Sequence, residues 1–181
     1  MEDRTLRQTV NHLKSRARLA GLVCLTVLLT GCSTQIRVVQ EFPDVVAVPR
    51  DLSVALVMNR EFRSYQASPN EKTRIQFGTA QVDLLTKAFG GLFETVQVVS
   101  SKESVGPDID LVITPAVRQV QLSSPSQSYL NVYEVWIKYS LDIETADGVA
   151  IDSWFLPAYG KTPYSFMLSR TKAIETATII A

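Results

Sequence analysis

The sequence predicts an α+β fold, a two-layer sandwich: a mixed, mostly antiparallel four- to five-stranded sheet with two helices on one face. Three observations carry that prediction. From Tyr129 to Thr145, Tyr133, Val135, Ile137, Tyr139, Leu141 and Ile143 alternate with Glu134, Lys138, Ser140, Asp142 and Glu144. This is the period of a half-buried antiparallel strand. Asp147-Gly148 then signals a tight hairpin, and Val149 to Leu156 returns. Two segments, Thr79 to Phe93 and Ser169 to Ala181, carry apolar stripes at helical spacing.

Taken in order, the chain opens with Arg4, Arg7, Lys14, Arg16 and Arg18, followed by an apolar run from Leu19 to Gly31. That run has 13 residues, against the roughly 20 a permanent membrane helix needs. A basic start, a short apolar stretch and small residues at the exit form an export signal. Leu29-Thr30-Gly31-Cys32 looks like the lipobox of a bacterial lipoprotein precursor. Residues 1–31 are therefore expected to be cleaved after Gly31, and Cys32 to be acylated. Glu2 and Asp3 are unusual in such a start and leave a start further in open.

Residues 32–49 are expected to form a lipidated N-terminus and tether. Pro43 and Pro49 disfavour helix, and residues 33–49 fully extended would reach roughly 56 Å. Val38, Val39, Phe42, Val45, Val46 and Val48 are apolar enough to lie against the domain after a few mobile residues. One domain is expected over residues 50–181. Leu52 to Met58 is apolar on both strand faces and suits a central strand. Asn59 to Phe77 is polar, with a turn signal at Ser68-Pro69-Asn70, and reads as a solvated loop with a helical turn.

Val82, Leu85, Phe89 and Leu92 form the stripe of the first helix, widened by Leu84, Ala88 and Phe93, with Thr79 as N-cap. Gly90-Gly91 should fray its last turn, at about 1 kcal/mol each relative to Ala. Val96 to Ser100 is a strand parallel to Leu52–Met58. Ser101 to Asp108 is a loop. Ile109, Leu111, Ile113 and Val117 are apolar at odd positions, then Val120 and Leu122 at even ones, so a bulge is expected between Pro115 and Gln119. Ser123 to Ser128 is a polar turn. Pro157 to Pro163 reads as a Gly/Pro-rich loop. Ala173, Ile174, Ala177 and Ile180 mark the second helix, with Ser169 as cap. It ends on an apolar residue without a C-cap, as a record cut short would.

The residue inventory narrows function. The only histidine, His12, and Cys24 fall in the signal, and Cys32 is the acylation site. The chain beyond Cys32 has no imidazole and no free thiol, which excludes His-dependent triads, Cys nucleophiles and Cys/His zinc sites. No disulfide is available, so the core alone holds the domain. No cofactor is expected. Beyond residue 31 there are 13 Lys/Arg against 16 Asp/Glu, a net charge of −3, which speaks against nucleic acid as a partner.

Individual motifs add little chemistry. Gly160-Lys161-Thr162 lacks the spacing of a phosphate loop, with Phe at 155. Asp108 and Asp110 resemble half of a metal pair but lack further oxygen ligands, so no metal is expected. An aromatic set stands out: Trp136, Trp154, Phe155, Tyr159, Tyr164 and Phe166. Trp136 and Trp154 are expected as cross-strand neighbours on the more polar sheet face. Ordinary packing under a helix or loop is favoured over an exposed patch. In the patch alternative, Trp136, Trp154 and Tyr159 form a partner surface.

The lipobox (Leu29 to Cys32), the strand LSVALVM, the helix LLTKAFGGLF and the strand VYEVWIKYSLDI together resemble small Gram-negative outer-membrane α/β lipoproteins. Those include the YajG-like and LptE-like proteins and the auxiliary lipoproteins of ABC-type transport systems. The resemblance implies an outer-membrane protein, lipid-anchored on the periplasmic face. Ser33 after the acylated cysteine fits outer-membrane sorting. The expected function is non-enzymatic: a binding or scaffold component with an envelope protein partner. The alternative is a module binding a small ligand or glycan, such as peptidoglycan or lipid. An enzyme built on a carboxylate pair is disfavoured, because no such pair stands out.

Overall fold

The computed structural model describes residues 33–165 and 169–181. Gly31, Cys32 and the signal segment, and Phe166, lie outside them. Residues Thr34–Ala181 form one compact unit. Among the described residues no helix is long and apolar enough to cross a membrane.

The fold is α+β, as its alternation and stripes predict. The larger sheet has five strands: β2 (Arg50–Val57), β5 (Phe93–Val99), β6 (Leu111–Ser123), β7 (Val132–Thr145) and β8 (Ala150–Pro163). Their spatial order is β5-β2-β6-β7-β8. β2 pairs with β5 and β6 in parallel, and β6–β7–β8 is an antiparallel meander. The phase switch in β6 is a register shift between Val117 and Gln119. The two long helices are α2 (Gly78–Leu92) and α4 (Arg170–Ile180); α1 (Arg60–Arg63) and α3 (Pro125–Ser128) are single turns.

One main core lies on one face of this sheet. Val54 and Leu56 of β2, Ile113 of β6 and Val135, Ile137 and Leu141 of β7 meet Ala80, Val82, Leu85 and Phe89 of α2. Ala173, Ile174 and Ala177 of α4 join the same cluster. Burying a side chain of this size contributes about 1.5–3 kcal/mol, so the odd-numbered face of β7 fixes the register. On the opposite face, Ala55, Val57, Val99 and Val112 form a small second cluster with Val105 and Ile109. Ser169 caps α4 as expected, accepting from the Lys172 N–H at 3.2 Å. Thr178, not Ile180, is buried in its last turn; its hydroxyl donates to the Ile174 carbonyl at 2.7 Å.

Several elements differ from expectation. The segment expected as a solvated loop holds α1, β3 (Gln66–Asn70) and β4 (Thr73–Gln76). With β1 (Thr34–Arg37) these strands form a three-stranded sheet, β1-β4-β3. The charges hid a strand pattern: Ala67, Thr73 and Ile75 are buried while their polar neighbours face water. The start of the expected tether is therefore folded. β1 pairs in parallel with β4, and Ile36 and Val38 enter the core at 1% and 4% exposure. The boundary expected at residue 50 falls inside the unit.

Thr79 is not the cap of α2; the cap position is Phe77, with no side-chain cap bond. The helix does not fray at Gly90-Gly91 but runs to Leu92. Gly91 is needed for close approach, since a Cβ there would stand 2.3 Å from the Val45 carbonyl oxygen. Tyr129 is not in the strand. It takes a left-handed conformation, φ 56, after α3, and β7 starts at Val132.

The expected loop from Pro157 to Pro163 is the second half of β8. β8 is an edge strand, the place in a sheet where proline does not interrupt a ladder. Gly160 lets α4 lie against it: a Cβ there would stand 2.0 Å from the Ala177 carbonyl oxygen.

Candidate functional site

The helix-free side of the β6–β7–β8 meander carries the chemistry. Glu134, Trp136, Lys138, Ser140 and Asp142 of β7 point away from the main core, because their odd-numbered neighbours are held in it. The register sets Gln121, Trp136 and Tyr159 in one row across the three strands, with Gln119, Lys138 and Pro157 in the next. Phe155 is paired with Ser140 in the row beyond.

These residues form a ledge with a groove. The rings of Trp136 and Tyr159 have centroids 4.3 Å apart, tilted by 42°. The Tyr159 hydroxyl donates to Glu134 Oε1 at 2.6 Å. That bond, then partial desolvation and the carboxylate's charge, lifts the phenol above its ordinary pKa. Lys138 Nζ sits 4.4 Å from the centroid of the Phe155 ring, a cation–π contact. Gln119, Gln121, Trp136, Lys138, Phe155 and Pro157 line an open groove of about 450 Å³. Trp136 is 46% exposed, Phe155 57% and Tyr159 37%, so three rings stand in water at fixed spacing.

Beside the groove, Arg118 Nε donates to the buried Ser140 Oγ at 2.8 Å, and Arg118 Nη2 stands 3.6 Å from Asp142. The Ser153 hydroxyl donates to Asp142 at 2.6 Å. These contacts hold the floor of the groove to its neighbouring strands. Surface ion pairs of this kind add little stability, about 0–1 kcal/mol, so the ledge is positioned by the sheet.

The structure brings together only part of the aromatic set. Trp136 and Tyr159 are direct partners, but the expected pairing of Trp136 with Trp154 is wrong. Trp154 is opposite Leu141 and lies on the other face, where its indole N–H donates to Asp152. The β7–β8 register is set at the hairpin, where it shifts between Ile143 and Glu144. It puts even-numbered residues of β7 opposite odd-numbered residues of β8, so that Trp136 and Trp154 fall on opposite faces. Neither tryptophan is packed under a helix; Trp154 is 54% exposed. Tyr164 packs edge-on against Tyr133, with ring centroids 5.8 Å apart. Phe155 belongs to the aromatic set, whereas Gln119, Gln121 and Lys138 carry no motif that marks them in the sequence. The bulge in β6 and the alternation of β7 carry the signal that finds them.

The other motifs take structural places. Asp110 accepts from the Ser53 N–H at 2.8 Å and ties β6 to β2. Gly160-Lys161-Thr162 is strand. Among the described residues no three His, Cys, Asp or Glu side chains gather as a metal-holding group.

No protein-family model and no curated protein sequence matches the chain. The solved structures similar to it include two. One is a protein described as a neuraminyllactose-binding hemagglutinin homolog from Helicobacter pylori, 10% identical, with a TM-score of 0.44, covering 80% of this chain and 84% of that one. The other is a minor lipoprotein from Acinetobacter baumannii, 16% identical, with a TM-score of 0.36, covering 76% of this chain and 81% of that one. Neither likeness bears on function.

Proposed function

We propose that the protein is a lipid-anchored, non-enzymatic envelope protein. It is cleaved after Gly31, acylated on Cys32, and held at the periplasmic face of the outer membrane. There it binds a protein partner in envelope assembly or transport through the groove face. The observation that supports binding is an exposed aromatic ledge: Trp136 and Phe155 line one groove, and Tyr159 stands beside the Trp136 ring. Exposed aromatic clusters of this kind are enriched where proteins meet. The anchor rests on the sequence of residues 29–32.

The test places a photo-crosslinking residue at Gln121 and another at Glu94, on the far edge strand, in intact cells. A discrete adduct from position 121 that is missing from position 94, and that disappears in Trp136→Ala/Tyr159→Ala, supports the reading. Identical patterns from both positions refute it.

A second reading is favoured by the rim. Gln119 and Gln121 supply amide donors and acceptors beside flat ring faces, and that combination fits the hydroxyls and apolar face of a sugar ring. Soluble glycan fragments titrated into Trp154→Phe protein would then change Trp136 fluorescence saturably, with no protein partner present.

A further inference from the structure

The fold begins almost at the anchor. The Thr34 N–H donates to the Lys72 carbonyl at 2.8 Å, and β1 runs from there. Cys32 is two residues upstream, and two residues of chain reach at most about 7 Å. Ile36 and Val38, both buried, keep β1 from peeling away. An acyl group on Cys32 therefore leaves the domain almost no slack, and the Thr34 end of the small sheet is confined to headgroup level.

That end is rich in cations. Lys72 is exposed in the β3–β4 turn. Arg74 donates from Nη1 to the carbonyls of Asn70 and Thr73, at 3.0 and 3.2 Å. Arg170, exposed at the start of α4, donates from Nη2 to Thr73 Oγ1 at 3.2 Å, which brings α4 to the same turn. Lys172 is the next cation on α4, exposed and 3.1 Å from Glu175. Glu71 is the acid of the turn itself. Four cations against two acids run counter to a domain whose net charge is −3.

We propose that this end is a membrane-docking surface: Lys72, Arg74, Arg170 and Lys172 lie against the phosphate-bearing headgroups of an anionic bilayer. The docking rests on acylation of Cys32, which supplies the proximity; the cations supply the orientation. Each cation near an anionic surface is worth about a five-fold change in occupancy. The Asp147-Gly148 hairpin tip stands clear of the bilayer. Gly160, which packs on the end of α4, is separated from it by roughly 43 Å of strand, whereas Arg170 is only about 11 Å of helix from Ala177.

The test uses the acylated protein purified from membranes and returned to vesicles carrying a headgroup-linked quencher. With Cys32 acylated, a fluorophore can be placed on Glu71→Cys or Asp147→Cys alone. In vesicles containing phosphatidylglycerol, quenching at position 71 is several-fold stronger than at 147. The contrast shrinks in phosphatidylcholine alone, in salt of about 1 M, and in Lys72→Glu/Arg170→Glu/Lys172→Glu. Should that variant fail to fold, Lys72→Gln alone is read instead. Equal quenching at the two positions, or a contrast indifferent to charge, overturns the proposal. The mass of the N-terminal peptide from the same sample separates the failures. An acylated Cys32 with equal quenching removes the docking and keeps the anchor; an unacylated Cys32 removes the anchor and the docking with it.

Discussion

Replacing Ile36 with Ala tests whether β1 is part of the fold or the end of a tether. Ile36 is 1% exposed and belongs to the main core, beside α4 and the small sheet. Truncating a fully buried isoleucine to alanine costs about 2–5 kcal/mol, from lost transfer energy and the cavity left behind. Val46, ten residues on in the same expected tether, is 100% exposed, and its truncation should cost within about 0.5 kcal/mol. The assay is urea unfolding of the chain produced without residues 1–32. With a slope near 2 kcal/mol per M, a loss of about 3 kcal/mol lowers the midpoint by about 1.5 M. If Ile36→Ala unfolds at the same urea concentration as Val46→Ala, β1 is not structural, and the short anchor argued from it is wrong.

Trp136→Ala, at a half-exposed ring, should cost no more than about 1 kcal/mol while abolishing groove-dependent crosslinking; a large drop in unfolding midpoint would make the ring a core residue instead. Gly160→Ala should destabilise by about 1–3 kcal/mol, because its methyl group would displace the end of α4; an unchanged midpoint would refute that contact. Ser169→Ala should cost about 1 kcal/mol through loss of the cap bond to Lys172, read as a lower thermal midpoint. Burial, with Tyr65 adding to it, holds the Tyr139 phenol far above its ordinary 10.0. The folded state thus keeps a proton that the unfolded chain loses above about pH 10. Stability present below that pH declines as pH rises past it, and Tyr139→Phe should flatten the decline in alkaline urea titrations.

Periodicity made the large sheet and both long helices legible. β7 alternates cleanly because one face is core and the other is water. The bulge at Val117–Gln119 showed as a change of parity. Three features were hidden for separate reasons. The β3–β4 hairpin is short, and its strands bury only a few residues such as Ala67 and Ile75 beneath a run of charges. The second half of β8 carries Pro157, Gly160 and Pro163, residues that signal a loop unless the strand is known to be an edge. β1 is four residues long, too short for any period to show. The groove was half legible: Trp136 and Tyr159 were evident as aromatics, but their pairing needed the β7–β8 register, and Gln119 and Gln121 needed the β6 register after the bulge.

Whether Cys32 anchors the protein is decided by the intact mass of the N-terminal peptide of the protein recovered from cell membranes. The expected peptide begins at Cys32, with residues 1–31 gone and a diacylglyceryl group on the sulfur. A peptide carrying residues upstream of Cys32, or an unmodified cysteine, contradicts the anchor.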